Sequence, residues 1–441
     1  MAIRSRGFSH AVWLRRAKLL TAFLWRRLLL RTRFIAVTGS LGKTTAKQLL
    51  AAILSAEGCT LATPGTANWT THVAGIILKA RPWHRYVVIE IATDSPGRIA
   101  ASTRIAKPDV AVVLNVGRTH TNRFRTLEET AREKAELLAR LGRRGVGILN
   151  ADDPRVTGMG EGKSFRVVRF RLSEGAGVRA AEITARWPER LSLTLEAGGV
   201  RQRVVTRLVG RHWANSVAAA AAAALECGVP LDRIAAAMSR VEPFTARLEP
   251  CRLPCGAVIL RDDFNESMQS YEVALQVLRE AQAARKLLVI TTVADGEEGS
   301  VPPLHRIVLG AAGVVDVLVL VGAGDETRGA LEAAGQSPAA TSIHHFETKR
   351  AAAMFLRGFL RSGDLALLRG LEIDHIGRLF HAQTGEVGCW IDHCPKVIMC
   401  EDCQELRGKP VRPPLVSLTL EQNSNTSAPR MEGDDLMNRS L

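Results

Sequence analysis

The sequence predicts an α/β protein built from two parallel-sheet domains in series. Two observations carry that expectation. Short apolar runs alternate with helix-like segments twice along the 441 residues, the pattern of sheets covered on both faces. Between the two series, residues 165–209 alternate apolar and polar positions with no helix between them, which predicts antiparallel strands appended to the first sheet.

The elements follow in order. The first 33 residues hold nine cations (Arg4, Arg6, Arg15, Arg16, Lys18, Arg26, Arg27, Arg31, Arg33) and no acid, in a chain of net charge +15. Read as a helix, Leu14, Ala17, Thr21, Leu24 and Leu28 form one stripe, flanked by arginines and by Trp13 and Trp25. Two readings stand: a helix packed on the body through that stripe, or one lying on an anionic membrane surface. Arg26 and Arg27 interrupt the apolar run Leu19–Leu30, so no membrane span is expected. No small-residue cleavage site follows. The expected location is the cytoplasm, with peripheral attachment at the inner face of the membrane as an option.

Apolar runs at Phe34–Thr38, Tyr86–Ile91, Val110–Val116 and Val146–Leu149 predict the first parallel strands. "FRVVRFRL", "LSLTLEA" and "QRVVTRLV" predict the antiparallel addition, and an alanine-rich helix spans Asn215–Leu225. Val258–Leu260, Leu287–Val293, Val314–Val321 and Leu365–Leu368 predict the second sheet. The expected divisions are 1–33, 34–242, 243–388, a cysteine-rich 389–410 and a disordered tail, 411–441.

Ligands of open parallel sheets collect at the carboxyl ends of strands. After the first strand comes Thr38-Gly39-Ser40-Leu41-Gly42-Lys43-Thr44-Thr45. Glycines let amides turn toward phosphate oxygens, Lys43 adds a cation, and Thr44 offers a hydroxyl to Mg²⁺. Val37 stands where the general phosphate-loop pattern has its first glycine, so the loop is a variant. Glu90 sits among apolar neighbours on the second strand, where Mg²⁺ or a Lys or Arg partner would justify burial. His120 follows the third strand, as a metal ligand or a solvated loop residue. Thr126 and Glu129 make a capping box for a helix whose stripe reads Leu127, Ala131, Lys134, Leu138, Leu141. A buried lysine there would be a neutral amine able to capture CO₂ as a carbamate, whereas one at the margin would snorkel.

Eight cysteines include Cys389, Cys394, Cys400 and Cys403 within "CWIDHCPKVIMCEDC". The Cys400–Cys403 spacing suits zinc and the first pair is wider, with His393 as an alternative ligand. Reduced thiols are the other reading.

These segments, with "IEIATDSPGRIA", "LNVGRTHTNRFRTLEETAREKAELL", "LVGRHWANSVAAAAAAA", "TARLEP" and "RDDFNES", resemble the Mur ligase family from about Phe34 to about Gly388. The likeness is greatest to the member that adds D-alanyl-D-alanine. It implies a P-loop parallel-sheet ATPase domain with appended antiparallel strands, then a Rossmann-like C-terminal α/β domain. It implies ATP and Mg²⁺, and an amide bond formed between a carboxylate and an amine through an acyl phosphate. Gly39, Ser40, Gly42, Lys43, Thr44 and Thr45 would hold phosphates; Glu90, His120 and a carbamylated Lys134 would join Thr44 on metal. His212 and Asn215 would lie near the adenine. Arg247 matches the arginine after the domain linker. Asp262 and Asp263 match an acidic pair that meets nucleotide, and Asp295 with Glu298 a substrate-facing segment. Arg369 stands where that member has a glycine- and lysine-bearing stretch. Relatives carry an N-terminal domain for the UDP-sugar peptide, and here about 33 residues precede the loop. That raises an alternative, a ligase for a non-peptidoglycan product or a nucleotide-binding relative without turnover, and a partner protein supplying substrate recognition. A nucleic-acid partner is not expected, since it would leave the ligase motifs idle.

Overall fold

The computed structural model describes residues 4–118, 123–263, 268–291, 302–335, 341–392, 394–396 and 398–406. His120, Asp295, Glu298, His393 and the tail from 411 onward lie outside them.

The first sheet is built from β1 (Arg33–Thr38), β2 (Thr60–Ala62), β3 (Tyr86–Glu90), β4 (Val110–Val113), β5 (Val146–Asn150), β6 (Arg166–Arg171), β7 (Val178–Thr184), β8 (Ser192–Ala197) and β9 (Val200–Val205). Their order is β2-β3-β1-β4-β5-β6-β7-β8-β9. Every residue of β3, β4 and β5 is buried, because helices cover both faces and leave no side to water. The appended region departs from expectation: β6 runs parallel to β5 and to β7, and only β7, β8 and β9 pair antiparallel. Alternation of side chains marks a strand with one wet face but carries no direction.

Helices α1 (Arg4–Leu28), α2 (Lys43–Ser55), α3 (Thr70–Lys79), α4 (Arg98–Ala106) and α5 (Leu127–Ala135) belong to this domain. On one sheet face, α2 and the alanine-rich helix Ala214–Glu226 pack Leu49, Leu50, Ile53 and Leu54 against Ala218–Ala224 and the strands. Each fully buried Leu or Ile contributes about 1.5–3 kcal/mol, and the alanines let the helices approach closely. The opposite face is covered by α1, α3 and α4 through Ala22, Leu29, Val73, Ile77 and Ile99.

α1 is fixed by its polar groups as well. Trp25 Nε1 donates to Ala80 O at 3.0 Å, and Arg26 donates to Ala106 O and Lys107 O, both at 2.8 Å, and to Asp109 at 3.1 Å. Lys18 lies beside Gly75, its Nζ 3.6 Å from where a β-carbon would stand. α1 therefore runs parallel to α3. Of the two readings of the stripe, packing on the body does not hold: Leu14, Leu24 and Leu28 are exposed, and the inward side is Ala22, Arg26 and Leu29. Apolar residues occupy both sides of this helix, and the carbonyls waiting at the end of α4 select the side that carries Arg26.

The second sheet comprises β10 (Glu249–Arg252), β11 (Val258–Asp262), β12 (Arg285–Ile290), β13 (Val317–Val321), β14 (Ser342–Phe346) and β15 (Asp364–Arg369). Its order is β10-β11-β15-β12-β13-β14, parallel except for β10. The two domains touch away from their linker, where Gln282 N donates to Trp187 O at 2.9 Å and Arg186 Nε to Glu280 O at 3.0 Å.

Candidate active site

The site is assembled where β1, β3 and β4 end and β11 and β15 face them. Gly42, with φ 80°, caps α2, and its missing side chain matters: a β-carbon would lie 2.5 Å from Ser216 Oγ. At Gly39 one would meet Leu114 Cβ at 2.8 Å. Gly42→Ala is expected to cost about 1–2 kcal/mol from the left-handed backbone alone, with further loss from the Ser216 contact; a chemical-denaturation midpoint measures it.

Asn115, just beyond β4, fastens the loop. Its Oδ1 accepts the amides of Ser40 and Leu41 at 3.0 and 2.9 Å, and its Nδ2 donates to Leu41 O at 3.2 Å. Ser40 Oγ donates to Gly117 O at 3.0 Å and accepts Gly117 N at 2.8 Å. Two loop amides are thus occupied, and the group left facing outward is the first turn of α2, whose amides have no carbonyl one turn back. That is where an anion fits. Lys43 Nζ donates to Ser40 O at 2.9 Å.

Glu90 is buried at 1 % exposure. Its Oε2 accepts Thr44 Oγ1 at 2.9 Å and lies 3.7 Å from Lys47 Nζ, and its Oε1 accepts Asn68 Nδ2 at 3.0 Å. Both readings of Glu90 therefore meet in one place: it faces the phosphate loop, and a lysine partners it. Lys47 also donates to Thr63 O at 2.8 Å and to Gly65 O, and burial pushes its pKa down against the opposing pull of Glu90.

Lys134 is buried behind this cluster. Burial, followed by the Lys43 charge, lowers its pKa to about 7. The neighbouring Glu133 caps α4 instead, accepting Gly97 N and Ile99 N at 2.8 Å each. Thr126 Oγ1 accepts Glu129 N at 3.1 Å while Glu129 accepts Arg125 N at 2.9 Å, a reciprocal cap that sets where α5 begins and hence where Lys134 points.

Between the domains lies a cavity of about 120 Å³. Gly42, His212 and Asn215 face it from the first domain, and Arg247, Asp262 and Arg369 from the second. Burial, then Arg369, lowers the His212 pKa to about 3, so this ring is neutral at physiological pH; its centroid is 4.2 Å from that of Trp213. Asn215 Oδ1 accepts Asn150 Nδ2 at 3.4 Å. Asp262 and Arg369 stand opposite each other in register on β11 and β15 and form a buried ion pair. Arg369 also donates to Ser270 Oγ and lies 4.1 Å from the Tyr271 ring centroid.

Asp263 does not reach this cavity. It receives Arg261 through two bonds, at 3.2 and 2.9 Å, and Arg261 pairs in turn with Glu401. Successive residues of a strand point to opposite faces, so Asp262 and Asp263 part company.

Cys389, Cys394, Cys400 and Cys403 line one cavity of about 10 Å³ with His375 and Lys396. Cys400 Sγ is 3.5 Å from His375 Nδ1, and burial pushes its thiol up to about 11. Among the described residues no three His, Cys, Asp or Glu side chains are placed to share a metal ion. The segment braces the second domain through Glu401 on Arg261 and His375 Nε2 on Lys396 O at 2.9 Å.

Sequence reasoning missed Asn115, Asn68 and Lys47. Asn115 had a signal, its place at a strand's carboxyl end, and Lys47 had another, its position one helical turn beyond Lys43.

Two family profiles match the chain: "Mur ligase middle domain" over residues 37–224 and "Mur ligase, glutamate ligase domain" over residues 246–371. The chain is 32% identical over 402 residues to the UDP-N-acetylmuramoyl-tripeptide–D-alanyl-D-alanine ligase of Mycobacterium bovis, covering 87% of this chain and 79% of that one. The Escherichia coli ligase of the same name is 32% identical over 269 residues, covering 60% of this chain and 59% of its own. Among solved structures, MurF from Acinetobacter baumannii superposes with a TM-score of 0.75 at 28% identity, covering 83% of this chain and 79% of that chain. MurF from Thermotoga maritima, in complex with ADP, shares the fold at a TM-score of 0.70 and 22% identity, covering 82% of each chain.

Proposed function

The chain belongs to the Mur ligase family, and from that premise we propose that it is an ADP-forming peptide ligase of peptidoglycan synthesis. It would join the amine of D-alanyl-D-alanine to the terminal carboxylate of a UDP-N-acetylmuramoyl-tripeptide. The observation that carries this is the inter-domain cavity with the phosphate loop on one wall and Arg247, Asp262 and Arg369 on the other.

The α2 amides and Lys43 receive the phosphates of ATP, and neutral His212 with Asn215 borders the base. A carboxylate oxygen attacks the γ-phosphorus and ADP leaves. The amine then attacks the acyl carbon, inorganic phosphate leaves with the former carboxylate oxygen, and the amine surrenders a proton. Lys43 stabilises charge on the transferring group. Burial between two domains keeps water from the acyl phosphate. Thr44 Oγ1 and Glu90 present the hard oxygen donors that suit Mg²⁺, and Lys134, once its neutral amine adds CO₂ and releases a proton, supplies a further anionic oxygen pair. Mg²⁺ bound there would neutralise developing phosphoryl charge.

Lys43→Ala is expected to lower phosphate release on the order of 10³-fold with an unchanged melting temperature, since Lys43 is only half-buried. Full turnover in that variant, or ADP formation that needs neither the tripeptide nor the dipeptide, would refute the assignment.

A further inference from the structure

Helix α1 presents the reverse of an ordinary surface helix. At 100° per residue, Trp13, Ala17, Leu20, Leu24 and Leu28 fall within an arc of roughly 80°, and Arg26 lies on the far side. The arc faces water: Trp13 is 64 % exposed, Leu20 60 %, Leu24 54 % and Leu28 70 %, while Arg26 is 6 % exposed. The body of the protein has already taken the other face, through Ala22, Trp25, Arg26 and Leu29. Packing on the chain's own core therefore does not account for the apolar stripe.

The surroundings specify what does. Arg16 and Arg27 border the arc, and residues 1–33 carry nine Arg or Lys and no acid. Trp83, 70 % exposed, sits on the turn held by Trp25 of α1 on Ala80 and by Thr32, in the link to β1, on His84, between Arg81 and Arg85. Leucines and tryptophans on one face with arginines at its margin match the interface of an anionic bilayer, where the aromatic rings sit at headgroup depth and the guanidiniums meet phosphate. A second copy of this chain is a poor occupant, because two such faces would bring their cations together. No helix of the described residues is long and apolar enough to cross a membrane, so the contact is with the surface.

We infer that the outward face of α1, with Trp83 beside it, docks the protein on an anionic lipid surface. The docking site is separate from the nucleotide cleft, and its loss leaves ligase chemistry intact.

The test is co-sedimentation of the full chain with vesicles of phosphatidylcholine, with and without phosphatidylglycerol. Anionic vesicles should take up at least roughly tenfold more protein than neutral ones, and about 0.5 M salt should reverse most of it. The double substitution Leu24→Glu, Leu28→Glu should reduce uptake at least roughly tenfold, with melting temperature and phosphate release unchanged. Arg16→Glu with Arg31→Glu should weaken it roughly fivefold per charge. Several outcomes overturn the inference: no uptake by anionic vesicles, equal and salt-insensitive uptake by neutral ones, or undiminished uptake by both double variants. Light scattering that shows a dimer lost with Leu24→Glu, and no vesicle binding, would assign the face to a second copy instead.

Discussion

Lys134→Met should remove most turnover, on the order of 100-fold or more, while raising the melting temperature at and below neutral pH. The buried amine has a pKa of about 7 against an ordinary 10.5. Between those values the unfolded chain holds a proton that the folded chain does not, so stability rises with pH across the window. Below about pH 7 the folded protein must carry a buried ammonium beside Lys43, and the destabilisation is complete, on the order of a few kcal/mol; above about 10.5 it vanishes. Methionine, similar in length and uncharged, should therefore gain most near pH 6 and much less near pH 10, as read from melting curves at both values. Lys134→Ala adds a chemical control. If the carbamate is what the site requires, short carboxylic acids should restore part of the phosphate release, and wild-type turnover without added acid would count against the role.

Glu90→Gln is the second large effect. The amide keeps the shape but leaves Lys47, itself 1 % exposed, as a buried cation without its carboxylate, which costs about 3–5 kcal/mol and lowers the melting temperature by roughly 10 °C. Phosphate release should fall with it, because Thr44 loses its charged acceptor. The double variant Glu90→Gln, Lys47→Met separates the two consequences. Stability should return, since no buried charge remains, and turnover should not. Recovery of both would show that Glu90 serves only to neutralise Lys47.

The parts of this site that could be read from sequence are those whose chemistry is written locally. Lys43 and Thr44 follow a strand and two glycines, Glu90 interrupts an apolar run, and Lys134 interrupts a helical stripe; each is an anomaly within its own element. What escaped was relational. Asn115 earns its place by bonding to Ser40 and Leu41, more than 70 positions earlier, and Asn68 by reaching Glu90 across 22 positions. No local pattern records such partners. Asp262 and Asp263 looked equivalent side by side, and pleating separated them. The parallel setting of β6 was hidden because the same alternation serves either direction. The inward face of α1 was hidden because a buried arginine satisfied by carbonyls contradicts the ordinary expectation about which side of a helix is wet.

The parallel pairing of α1 with α3 has a geometric corollary. Trp25 stands level with Ala80 and Lys18 level with Gly75, so one turn or so further back Trp13 comes level with the first turn of α3, next to the Asn68 that holds Glu90. At 1.5 Å per residue, the helix still has about 13 Å to run past that level before Arg4. α1 is thus an outrigger that overhangs the catalytic rim, and Arg26 locks its heading. Any surface gripping the outrigger would fix both the tilt of the enzyme and the stand-off height of its mouth, so the reach of a tethered substrate would be decided by the helix.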